Sequence, residues 1–342
     1  MVVIALAITG GLIVGMKAGV IGGGSLNLSA GDPSGSPAPA PAKSKAPPRA
    51  EAASPQAALS PNNFVDIRRV KTTVRTPEGG PDASRGTFVS RCGTNQNDHN
   101  NTDDFILAPG VTNGAHFLQD YTGNLSTNAS STDRSLAAAD TTCRLGDKST
   151  YYWPVLRVPG AAKAGGATEG NVGQVLRPAS ATLLFRGNPR GDVVAMPRFL
   201  RIITGDAKAV TQADANAKAA WSCTGFTDRV TGKYPLCPSG SQVMRTLIFP
   251  SCWDGRNTDS ADHRTHVVFP DAATGACPAG RKAVPQLQIR LTYSVPRGPS
   301  FAIDSLPEPR HSPLTDHAGF ENLMPTQLMK SVVSCINRNQ NC

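Results

Sequence analysis

Apolar residues alternate with polar ones in several short runs of the chain's second half, and this period of two predicts half-buried strands. Leu287-Gln-Ile-Arg-Leu-Thr-Tyr293 is the clearest, an alternation suited to a sheet with one wet face. Ala181-Thr-Leu-Leu-Phe-Arg186 stops at the turn signal Gly187-Asn188-Pro189, and Phe199-Leu-Arg-Ile-Ile-Thr204 runs into Gly205-Asp206. Thr246–Phe249 and Thr265–Phe269 are shorter, rich in β-branched or aromatic residues and flanked by Pro or Gly. Helical spacing is rarer. Ala207–Ala219 is Ala-rich and polar and predicts a surface helix, while Leu328, Met329, Val332, Val333 and Ile336 share one helical face beyond Pro325. No strand–helix–strand alternation and no Gly-rich phosphate loop is present, which disfavours a nucleotide-binding sheet. The expected fold is mainly β: an antiparallel β-sandwich-like domain with a few peripheral helices and long disulfide-braced loops.

The first part of the chain follows a different pattern. Val2–Met16 is an uncharged apolar run closed by Lys17, short for a membrane-spanning helix and close to the core of a secretory signal. No Lys or Arg precedes it. Residues 1–22 therefore predict a signal peptide or a signal anchor, with Ser29-Ala30-Gly31 only a weak cleavage site. Pro, Ala, Ser and Gly then dominate to about Asn63, a composition unable to bury enough apolar surface to offset chain entropy. Arg68, Arg69, Lys71, Arg75 and Arg85 follow. Residues 23–84 predict a disordered linker, Ala/Pro-rich and then basic, leaving 85–342 as the single extracellular domain. Ten basic and five acidic side chains precede residue 92, so the domain carries only +4 of the chain's +9. The excess of positive charge in the tether suits contact with anionic wall polymer or lipid head groups, and equally suits solubility and topology. The basic residues lack interleaved aromatics, so nucleic acid is not an expected partner.

All eight cysteines lie in the predicted domain, which points to an oxidising compartment. No CxxC pair suggests a zinc knuckle or a thioredoxin-type site. Their order suggests Cys92–Cys143, Cys223–Cys237, Cys252–Cys277 and Cys335–Cys342, although sequence alone does not fix the connectivity. The expected location is extracellular, secreted or held at the cell surface, with membrane contact only through an uncleaved N-terminal segment.

Chemistry-bearing residues concentrate in three loops. Ser251-Cys252-Trp253-Asp254-Gly255-Arg256-Asn257 leads into Asp259-Ser260-Ala261-Asp262-His263-Arg264-Thr265-His266. Asp147-Lys148-Ser149-Thr150-Tyr151-Tyr152-Trp153-Pro154 comes earlier, and Gly114-Ala115-His116 with Asp120-Tyr121-Thr122-Gly123-Asn124 earlier still. Together, over roughly residues 86–342, these resemble the secreted actinobacterial and fungal family filed as "domain of unknown function 1996". The resemblance implies no settled activity, and its fungal members tilt the expectation toward glycans by analogy. One departure stands out. The family usually shows a His-x-His pair where this chain has Phe117 and Gln119, with His116 one position upstream. On a strand, a one-residue offset places a side chain on the opposite face.

Asp262, His263 and His266 are candidate catalytic residues, with Asp120 as a further carboxylate, because imidazole and carboxylate pairs move protons near neutral pH. Asp259 or Asp262 would orient an imidazole through its second nitrogen. In the alternative, Asp262 caps a turn and the histidines bond backbone carbonyls. Tyr151, Trp153 and Trp253 would stack on sugar rings, with Asp254, Arg256 and Asn257 bonding hydroxyls; core packing is the competing explanation for the aromatics. His116, His263 and His266 are a candidate metal set, with a divalent ion as the cofactor they would hold. The triplets at Asn100, Asn124 and Asn128 match glycosylation acceptors. The sequence thus predicts a glycan-active domain facing a polysaccharide or cell-wall polymer. A hydrolase using the Asp/His loop leads, and a non-catalytic carbohydrate-binding module and a metal-binding surface protein are the alternatives.

Overall fold

Two five-stranded antiparallel sheets, packed face to face, account for most of the predicted runs in the computed structural model. It describes residues 59–342 apart from 75, 160–170, 213–215 and 309–310, all within one unit, Ala52–Cys342. The signal-like segment and most of the linker lie outside the described residues. Among those described, no helix is long and apolar enough to cross a membrane.

The first sheet runs in the order Trp221–Cys223, Val243–Ile248, Gln286–Tyr293, Ser180–Arg186, Thr87–Ser90. Its alternation behaves as expected. Leu287, Ile289, Leu291 and Tyr293 point inward and are fully buried, whereas Gln286 and Arg290 face outward. The second sheet is ordered Asn100–Asn101, Gln119–Gly123, Thr150–Pro154, His317–Glu321, Arg201–Gly205. Side chains of both sheets interdigitate in one core, where Phe185 and Phe249 meet Phe320 at 6.1 and 6.2 Å.

The second sheet has no wet face. Its other side is covered by a second cluster built from Phe105, Ile106, Tyr121, Leu136, Tyr152, Ile203 and Leu323, so every residue of three of its strands is buried. Leu136 comes from the short helix Asp133–Ala138, opened by a Thr132 capping box. Gly319, register partner of Tyr152, permits this cover, because a side chain there would collide with the tyrosine ring. Among the described residues, two ion pairs have both partners fully buried: Arg157–Asp304 at 2.6 Å, and Arg245 with Asp316.

All four disulfides form in the pairing suggested by cysteine order, with no free thiol. The C-terminal helix spans Thr326–Asn337 and buries Met329, Val332, Cys335 and Ile336. Two expectations fail. The described part of Ala207–Ala219 forms turns rather than a helix, because Asp206 and Lys208 close local hydrogen bonds in place of a helical ladder. The domain also begins earlier than residue 85. Phe64–Asp66 pairs in parallel with Tyr234–Leu236, Ile67 is fully buried, and Phe64 packs on Tyr234 and Phe301. Thr73 and Val74 then bond the carbonyl of Asp228. Two apolar side chains in a basic stretch are enough to dock it.

Candidate functional site

The Asp/His loop hangs from a three-stranded ribbon in which Cys252–Trp253 lies between Val267–Val268 and Lys282–Ala283. The loop is closed on itself. Asp254 accepts the backbone N–H groups of Arg256 and Asn257 and the Asn257 amide. The exposed Asp262 carboxylate accepts the N–H groups of Thr265 and Arg264 and the hydroxyls of Ser260 and Thr265. These donors, Thr265 N–H foremost, hold it well below the usual carboxylate range. That is turn chemistry. His266 is buried, with Nε2 2.6 Å from the carbonyl of Arg201 and Nδ1 2.8 Å from the Ser260 hydroxyl. A carbonyl only accepts, so Nε2 carries the hydrogen, and neither ring nitrogen is left for a metal or a substrate. His266 is a fastener between the loop and the second sheet.

His263 is different. It is half-buried, has a φ of 54°, and its Nδ1 lies 2.9 Å from Asp259, which of the two carboxylates expected there is the one that orients it. Asp259 in turn lies 3.6 Å from Arg201. The Arg201 guanidinium also bonds Glu321 at 3.0 Å and Asp133 at 2.8 Å, so three carboxylates converge on one cation. Burial works against the Arg201 charge, but these carboxylates, Glu321 foremost, outweigh it and raise its pKa. Glu321 is fully buried, one of its oxygens has no partner, and desolvation pushes it up to about 7 against the pull of Arg201. Neither Arg201 nor Glu321 stood out in the sequence. The available signal was a charged residue inside each apolar run, Leu200-Arg201-Ile202 and Phe320-Glu321, since such residues are rarely buried without a partner.

The other predicted residues do not converge on this loop. Tyr151 and Trp153 are wholly buried between the sheets, Tyr151 stacking on Phe320 and donating its hydroxyl to Asp147, so neither offers a face to a sugar. Trp253 is half-buried and donates its indole N–H to the carbonyl of Asn257; Arg256 and Asn257 are exposed. Asp120 is 3% exposed and accepts amides from Asn95 and Asn100; burial raises its pKa, and it is closed to an incoming substrate. His116 is exposed, whereas Phe117 is buried edge-on against His317 and Gln119 is buried on the carbonyl of Asp103. The upstream histidine therefore does not fill the place of the missing pair. Among the described residues, the one group of three ligand-type side chains within 4.8 Å is Cys92, Cys143 and Asp147, whose two sulfurs form a disulfide. His116, His263 and His266 do not assemble as a metal site. Of the glycosylation triplets at Asn100, Asn124 and Asn128, only that at Asn128 has an exposed Asn; the side-chain amides of Asn100 and Asn124 are bonded within the fold.

A concavity lies elsewhere, on the outer face of the first sheet. It is a groove of 1140 Å³ floored by Thr246, Ile248, Gln286, Gln288, Arg290 and Arg186. One wall includes Thr73, Val74, Thr76 and Pro77, from the segment assigned from sequence to the linker; Phe269–Ala272 and Lys218–Ala220 form others. Among the described residues, Arg85, Arg186, Lys218 and Arg290 line it against a single carboxylate, Asp271.

Residues 104–310 match a family model described as a domain of unknown function (DUF1996). No curated protein and no solved structure matches the chain.

Proposed function

The chain belongs to the family described as a domain of unknown function (DUF1996), and from this premise we propose that it is a non-catalytic, surface-acting module that binds a polysaccharide strand in the groove of its first sheet. The single observation that carries this reading is the groove itself: a floor of amide, hydroxyl and guanidinium side chains between walls that mix apolar with polar residues. Such a mix provides hydrogen bonds for sugar hydroxyls and apolar surface for ring faces. The Asp/His loop supports the module over the hydrolase. His266 and Asp262 are spent on holding the loop, and Asp120 is sealed in the core. Four disulfides support an extracellular setting.

A hydrolase reading draws on one observation, the elevated pKa of Glu321 beside Asp133 and Asp259, since acid–base catalysis favours a group that titrates near neutrality. Access counts against it, because Glu321 lies fully buried beneath Arg201. The purified chain, screened against a polysaccharide panel, separates the two. The module predicts retention on at least one polymer without release of reducing ends. Release of reducing ends would establish the hydrolase instead, and the absence of any retention would remove the glycan reading.

A further inference from the structure

Within the groove, charge is distributed unevenly. Arg186 projects from Ser180–Arg186 and Arg290 from the adjacent Gln286–Tyr293, on the same outward face. Among the described residues, neither guanidinium has a carboxylate partner. Arg186 makes only a long bond, 3.4 Å, to the Gln288 amide oxygen. Its desolvation, and then the nearby charge of Arg290, depress its pKa, which marks a cation held where a positive charge is unfavourable. Lys218 closes one side, its ammonium 5.0 Å from the centre of the Phe269 ring. Among the described lining residues the one carboxylate, Asp271, accepts both the N–H and the hydroxyl of Thr274 in its own turn and forms no ion pair with either guanidinium.

Like charges gathered on one sheet face without counter-charges cost stability, and a groove with low-dielectric walls strengthens their pull on an anion. Guanidinium groups take carboxylate, sulfate or phosphate in paired hydrogen bonds. Nucleic acid is a poorer fit, since among the described residues Phe269 is the only aromatic ring lining the groove and Lys218 already covers it. Resting on the module reading above, we infer that the groove selects an acidic polysaccharide, with Arg186 and Arg290 binding successive anionic groups along its floor.

The test is affinity electrophoresis and calorimetry of the purified chain with polygalacturonate, chondroitin sulfate and teichoic acid. The controls are fully methyl-esterified polygalacturonate, neutral xylan and single-stranded DNA. At least one acidic polysaccharide should bind about tenfold or more tightly than the neutral polymers, the size expected from charge-assisted contacts, and binding should weaken with added salt. Arg186→Gln/Arg290→Gln should lose at least about tenfold of that affinity while melting no lower than the parent chain, because like charges are relieved. Arg290→Gln alone, at an exposed position, should show a partial loss and serves if the double variant unfolds. Equal binding of neutral and acidic polysaccharides, unaffected by the variants, would overturn the selection for acid and leave the module reading standing. Binding of no polysaccharide would overturn both, and tighter binding of DNA would overturn the choice of polysaccharide.

Discussion

Replacing Glu321 by Gln should stabilise the fold at neutral pH and flatten part of its pH dependence. The parent side chain is fully buried, with one oxygen bonded to Arg201 at 3.0 Å and the other without a partner. Burial raises its titration from 4.5 to about 7. A carboxyl raised in the folded state holds its proton more tightly than it does in the unfolded chain. Its stabilising contribution is therefore complete below pH 4.5 and is lost as the pH rises through about 7. A shift of this size corresponds to about 3 kcal/mol, a large share of the roughly 5–15 kcal/mol that keeps a domain folded. Gln has nearly the same shape, keeps an oxygen for Arg201 and does not titrate, and Asp133 and Asp259 still neutralise the guanidinium. Urea unfolding of both proteins from pH 4.5 to 8 gives the comparison. The variant should gain up to about 3 kcal/mol on the parent between the two ends of that range. Parallel pH profiles would refute the burial argument. So would a variant weakened equally at every pH, which would mean that the ion pair with Arg201 outweighs desolvation throughout.

Three further outcomes follow from the packing. Phe64→Ala, or a chain starting at residue 85, should cost at least about 3 kcal/mol in a denaturant titration, since Phe64 and Ile67 pack into the unit; an unchanged midpoint would restore the shorter domain. His266→Asn should cost about 1–3 kcal/mol by breaking a buried bond to the Arg201 carbonyl, whereas the half-exposed His263→Asn should lower the melting temperature far less. In a glycosylating host, peptide mapping should place sugar on Asn128 and none on Asn100 or Asn124, and modification of Asn124 would contradict its burial.

The sandwich was legible because its strands alternate, and the disulfides because each bridge joins cysteines that are consecutive in the chain. Alternation does not reveal whether the second face of a sheet is wet. Leu287–Tyr293 and Tyr151–Trp153 look equally plausible as half-exposed strands, yet only the first has an open face. The second is roofed by Phe105 and Leu136, which no local pattern links to it. The same limit hid the Arg201 hub. Arg201 and Glu321 lie 120 positions apart and meet only through strand pairing. The groove was hidden because its wall residues Thr73, Val74, Thr76 and Pro77 read as linker; the basic residues in that stretch of sequence mask the apolar contacts of Phe64 and Ile67 that dock it. In the Asp/His loop the residue types were suggestive, but turn formation and catalysis use the same side chains. Hydrogen-bond geometry assigns Asp262 and His266 to the turn.

The most direct test of the account is an NMR titration of the chain with a polysaccharide it retains, following backbone and Arg side-chain signals. The account predicts that the perturbed signals cluster on Thr246, Gln286, Gln288, Arg290 and Arg186, with no reducing ends appearing in the sample. Perturbations centred on Trp253–Asn257 or on His263, Asp259 and Arg201, with the groove silent, would contradict it.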